Sequence, residues 1–177
     1  SPYIQNLFEA NYAIVNGEEH SWADYSVPYM WGTMGYVYNP ALSDTIEDDL
    51  SSWAGLWREA YASVATIKDS VRDSYFLGLA YVAKDELDAL AADFAAGKMG
   101  AEEYNAKLTE IMNRTDEDTL DAVKKQLIAL KDNLYGFEVD SGKLDAASGK
   151  ININFAWSYG CKPGNLRLAG AATQSPQ

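Results

Sequence analysis

The sequence predicts an α/β domain, and three observations carry that prediction. Short β-prone segments alternate with helical ones along most of the chain. The segments that read as strands end in turn or capping residues, which suits crossover connections. Apolar residues make up 47% and aromatics 12% of 177 residues, enough to build one buried core.

In chain order, Ile4 to Ala13 reads as a short helix, Asn16-Gly17 as a turn, and Glu18 to Asp24 as a polar surface loop. Ser26 to Asn39, SVPYMWGTMGYVYN, is rich in glycine and aromatics, which disfavours a soluble helix, and too short to span a membrane. It is expected to be extended, one or two short strands with a bend at Gly32, ending at Asn39-Pro40. Ser43 to Leu50 is an acidic loop or helix start. Ser51 or Ser52 can cap a short helix that carries Trp53, Leu56 and Trp57. Ser63 to Ile67 is β-prone and runs into Lys68 to Phe76, KDSVRDSYF.

From Ser70 the period turns helical, with Val71, Phe76, Leu79 and Val82 compatible with one buried face and Tyr75 and Leu77 alongside. Helices follow over Asp85 to Ala96, closed by Gly97, and over Ala101 to Met112. A third runs from a capping box at Thr115-x-x-Asp118 to near Asn133. Tyr135 to Val139 reads as a strand, Asp145 to Gly149 as a short helix or turn, and Ile151 to Trp157 as a strand. The run of helices looks like an excursion from the sheet. The tail from Lys162 has no clear period and is expected to be poorly ordered or displaced.

Charge narrows the partners. Fourteen basic against 26 acidic residues give a net charge of −12, which disfavours nucleic acid and is compatible with a cationic ligand or with solubility alone. The single Cys161 cannot form an intramolecular disulfide. His20, the only histidine, lies in a Glu-rich stretch and offers no nucleophile–base pair with Cys161 or a serine, so no catalytic residues are expected. Gly-rich phosphate loops and metal-ligand clusters are absent from the sequence, and no cofactor is implied.

Two features suit a cation. Asp69, Ser70 and Asp73 lie at a strand-to-helix junction, where open α/β sheets bind ligands. A bare helix N-terminus favours anions, so a site for ammonium groups needs carboxylates there. The competing reading is that Ser70 and Asp73 form a capping box. Trp157, at the end of a strand, can cover a cation or a methylene chain with its indole face, or can be a core residue. Trp22, Trp53 and Trp57 read as packing residues; Trp31 is open.

The motifs VPYMWGTMGYVYNP (27–40), SWAGLW (52–57), KDSVRDSYF (68–76), GFEVDSGK (136–143) and GKININFAWS (149–158) follow one another as in bacterial spermidine/putrescine-binding proteins. These are the solute receptors of polyamine ABC importers, and the chain resembles them over roughly residues 20 to 158. The segment 85–133 resembles members from Gram-positive bacteria. The resemblance implies one lobe of a type 2 periplasmic-binding-protein fold with a helical insertion. Residues 1–38 would be the end of the first lobe and the hinge crossover, 39–158 the second lobe, and 159–177 an irregular tail. The rest of the first lobe would be missing.

By position in the family motifs, Asp73 would hold a ligand amine and Trp157 would stack on the polyamine. Ser70 falls where some relatives have a second Asp, which Asp69 could replace, and Asp140 matches a site-lining segment. Gly160 stands where relatives often have Asp, and the resemblance ends at Tyr159. The implied partners are a polyamine and ABC permease subunits, with membrane contact only through the permease or a lipid anchor. The implied location is the periplasm or the outer face of the membrane, as a lipoprotein in a Gram-positive cell. Two alternatives stay open: a same-fold receptor for another solute, and a stand-alone interaction domain without a small ligand.

Overall fold

The structure, a computed structural model, describes residues 12–27, 32–158 and 166–169. The expectations on residues 4–11, Tyr29, Trp31, Gly160, Cys161 and most of the tail lie outside these. The chain divides into two units, Ser1–Thr33 and Met34–Gln177.

In the first unit, β1 (Tyr12–Val15) and β2 (Glu18–Ser21) form an antiparallel hairpin. Asn16 and Gly17 both take positive φ, 56° and 86°, which gives a two-residue turn the twist that paired strands need. The stretch expected to be a loop from Glu18 to Asp24 is therefore strand followed by a 3-10 turn, Trp22–Asp24, capped by Ser21 Oγ accepting from Ala23 N at 3.2 Å. Trp22, read from sequence as a packing residue, is 48% exposed.

The second unit is built on a five-stranded sheet. Its strands are β3 (Met34–Tyr38), β4 (Ala65–Lys68), β5 (Gly136–Glu138), β6 (Ile153–Trp157) and β7 (Arg167–Ala169), in the order β5-β4-β6-β3-β7. β4 runs parallel to both β5 and β6, whereas β3 is antiparallel to β6 and β7. The reversed strand places Met34, where β3 begins, opposite Trp157, where β6 ends. β7 comes from the tail expected to be irregular. Extended backbone at the rim of β3 finds hydrogen-bond partners there whatever its sequence period.

Parallel strands need both faces covered. On one face lie α2 (Val71–Val82) and α5 (Glu117–Asn133), with α1 (Ile46–Asp49) and the 3-10 segment Trp53–Trp57 beside them. The core includes Tyr36, Tyr38, Leu56, Ile67, Leu77, Leu130, Ile153 and Phe155. Trp53 sits among Tyr36, Phe76 and Phe155 with edge-on ring contacts, and Trp57 stacks on Tyr81 at 4.0 Å. Both are the packing residues the sequence suggested. Asn154 alternates with Ile153 and Phe155 and so faces the other way, toward α6 (Gly142–Ala147).

Two local expectations change. The inward side of α2 is Asp73, Leu77, Gly78, Leu79 and Ala80, while Val71 is 92% and Val82 39% exposed. A carboxylate occupies the first turn of the buried stripe, where the apolar pattern suggested valine. The cap of α5 is Asp116, accepting from Thr119 N at 3.0 Å and Thr119 Oγ1 at 2.8 Å, one residue past the expected box. Helices fill the stretch 84–133, where the sequence suggested an excursion from the sheet. α3 (Lys84–Ala95) and α4 (Ala101–Met112) share a small cluster around Leu90 and Ile111, and α5 returns to the sheet core through Leu130. Arg114 closes the hairpin on α3 with paired bonds to Glu86 at 2.6 and 2.8 Å.

Candidate functional site

The carboxyl ends of β4, β5 and β6 lie side by side because these strands are parallel. At the end of β4, Ser70 is extended (φ −147°, ψ 122°), and its Oγ accepts from Asp73 N at 3.3 Å. Ser74 Oγ donates back to the Lys68 carbonyl at 2.8 Å. These two hydroxyls start α2 abruptly and turn Asp73 inward, leaving its side chain 9% exposed.

Trp157, half-buried at the end of β6, donates from its indole Nε1 to Asp73 Oδ2 at 3.2 Å. Arg72 Nε lies 3.6 Å from Asp73 Oδ1, with most of its side chain in solvent. The carboxylate is thus held between an indole and a guanidinium, while the cap fixes the Asp73 backbone. Buried charge demands such partners, and the indole bond fixes the tilt of the Trp157 ring, whose face attracts cations.

The other sequence-predicted residues occupy the same edge with different exposure. Ser70 is the helix cap. Asp69 is exposed, and its backbone N–H donates to the Glu138 carbonyl at 2.8 Å, tying the β4 loop to the end of β5. Asp140 is exposed two residues past β5. The fold brings Asp73 and Trp157 into direct contact and sets Asp69 and Asp140 on adjoining strand ends.

Sequence reading missed a buried polar network beneath this edge. Glu138 is 7% exposed, Asn154 0% and Thr66 3%. Lys68 Nζ pairs with Glu138 Oε1 at 3.1 Å and also donates to the Val139 carbonyl. Asn154 Nδ2 donates to Glu138 Oε1 at 3.1 Å and to Thr66 Oγ1 at 2.9 Å. Gly142 N donates to Glu138 Oε2 at 2.9 Å. The available signal was a charged residue within each of two short strands, Lys68 and Glu138, of opposite sign.

No family model matches the chain. The spermidine/putrescine-binding periplasmic protein of Salmonella typhimurium is 26% identical over 136 residues, 76% of this chain and 31% of that protein. This chain is similar to part of a spermidine/putrescine-binding periplasmic protein. The protein of that name from Escherichia coli K12 is 24% identical over the same shares. The chain spans about a third of the length of these curated relatives.

Solved structures agree at the level of fold. The spermidine/putrescine ABC transporter substrate-binding protein PotD from Streptococcus pneumoniae superposes with a TM-score of 0.60 at 23% identity, over 84% of this chain and 39% of that one. A putative spermidine/putrescine ABC transporter from Listeria monocytogenes gives 0.53 at 21%, over 76% and 33%. The α/β architecture expected from the sequence is therefore shared with substrate-binding proteins.

Among the described residues, no group of three or more His, Cys, Asp or Glu is placed to hold a metal ion. No helix there is long and apolar enough to cross a membrane. His20 Nδ1 meets Tyr25 Oη at 2.9 Å within the hairpin unit, and both residues also stack edge-on.

Proposed function

We propose that this chain supplies one ligand-binding lobe of a polyamine receptor, with spermidine or putrescine as ligand and no catalytic step. The observation that carries the reading is the bond from Trp157 Nε1 to Asp73, at the carboxyl edge of a parallel sheet. It joins a negative charge to a fixed aromatic face, the two elements a protonated alkylamine needs. Ammonium groups would compete for Asp73 and the exposed Asp69 and Asp140, and the methylene chain would lie along the indole. Ser70 would contribute as the cap that sets Asp73.

The segment up to Tyr38 serves in this reading as the end of a first lobe and the crossover, entering the second lobe next to Trp157. Residues 39–158 are the body of that lobe, and 159–177 lie beyond the resemblance. ABC permease subunits are the protein partners, and the site of action is the periplasm or the outer membrane face, with a lipid anchor in a Gram-positive cell. Closure of the missing lobe would exclude water from the ammonium–carboxylate contacts.

The test is isothermal calorimetry on a longer receptor that contains this lobe. Asp73→Ala is expected to weaken spermidine binding by about tenfold or more, the scale of one charge-assisted hydrogen bond. An unchanged affinity would confine Asp73 to helix capping and to holding Trp157.

A further inference from the structure

The buried network under the edge carries an inference that rests on the amine reading of the site above it. Lys68 and Glu138 are nearly enclosed, with side chains 13% and 4% exposed. They sit at the ends of the two strands that lead into the Asp69 and Asp140 loops. Each also holds backbone: Lys68 Nζ takes the Val139 carbonyl, and Glu138 Oε2 takes the Gly142 amide. Together these bonds fasten the segment 139–142 at both ends. Space there is tight, since a Cβ on Gly142 would run into the Asn154 amide and come within 2.7 Å of Glu138 Cδ.

A lysine beneath a site for cations is a liability unless it is neutralised. At an effective dielectric of about 20, unit charges several ångströms apart still interact by a few kcal/mol. We propose that Glu138 is a positioning residue for the candidate amine site: it neutralises Lys68 and pins the loop that carries Asp140. The exposed carboxylates of Asp69 and Asp140 then act on a ligand without a bare cation behind them. Glu138 touches no ligand in this account. Its two oxygens serve three donors, Lys68 Nζ, Asn154 Nδ2 and Gly142 N. A neutral amide in its place has one acceptor oxygen and must leave donors unmet.

The experiment uses the 177-residue chain in solution NMR, with amide exchange at Gly142 and Asp140 and a titration with spermidine into the millimolar range. Three forms are compared: the parent, Glu138→Gln, and Lys68→Met with Glu138→Gln. Glu138→Gln is expected to speed exchange at Gly142 by about tenfold through local opening and to reduce the spermidine-induced shifts at Asp69 and Asp140. Removing the lysine as well is expected to recover the part of those shifts lost to its unneutralised charge, while exchange at Gly142 stays fast. Packing defects accumulate when a second buried side chain is truncated, whereas an unneutralised charge is cancelled.

Glu138→Gln that unfolds while the double variant folds supports the proposal, because Lys68 is the difference. Exchange at Gly142 within about twofold of the parent overturns it, and so does a double variant whose spermidine-induced shifts are as reduced as those of the single one. If spermidine moves no amide of the parent while Glu138→Gln still frees Gly142, the amine reading falls and the loop-holding role of Glu138 stands.

Discussion

Asp73 shows how one residue can divide between two competing sequence readings, its amide serving one and its carboxylate the other. Its amide is capped by Ser70, the first half of a capping box, but its carboxylate turns to Trp157, 84 positions later. The cap was legible locally; the indole partner depended on β6 pairing beside β4. Asp49 shows the same division. Its carboxylate accepts from Tyr61 Oη at 2.6 Å and Thr45 Oγ1 at 3.0 Å and pairs with Arg58 at 2.9 Å. The Tyr61 bond, with help from Thr45 and Arg58, holds its carboxyl below the ordinary carboxylate range. A carboxyl whose folded pKa is depressed stabilises the fold above its unfolded pKa, near 4, and the contribution is lost as pH falls through the lower folded value. Asp49→Asn is therefore expected to be less stable than the parent at neutral pH, with the gap narrowing below about pH 4. Urea melts across that range would show it, and a pH-independent gap would refute it.

At the scale of elements, the helices came out of the sequence more readily than their faces. α2 and α5 meet closely because Gly78 has no side chain: a Cβ there would lie 2.7 Å from Val123 Cγ1 and 3.0 Å from Leu127 Cγ. Helix propensity alone would make Gly78→Ala stabilising by about 1 kcal/mol. Overpacking a filled contact costs about 1–3 kcal/mol, so the variant is expected to be destabilised overall in chemical denaturation. A variant at least as stable as the parent would mean that α5 shifts freely. On the inward face of α2, periodicity marked Leu77 and Leu79 but wrongly included Val71 and Val82, because it follows apolar residues, while Asp73 is buried by its partners. α5 has a helical pattern like that of α3 and α4 but packs elsewhere. Only packing shows that Leu130 reaches the main core and Leu90 does not.

For the whole molecule, the chain spans about a third of the length of the curated relatives it matches. On the proposed reading, a polyamine held by one lobe alone would keep much of its hydration. With little water excluded, charge contacts stay in high dielectric and recover little of the entropy lost on binding. Calorimetry of this chain with spermidine is expected to show no heat beyond dilution at micromolar concentrations. Micromolar or tighter binding would mean that one lobe suffices. From Met34 to Trp157 most strands and helices could be read from sequence, because turns, caps and periodicity are local, whereas Asp73 and Trp157 were singled out together by the family resemblance. Tertiary structure alone decided the reversed pairing of β3, the recruitment of β7 and the ion pair of Lys68 with Glu138. Strand neighbours and buried charge partners are set by which surfaces exclude water together, across separations in the chain that no local pattern encodes.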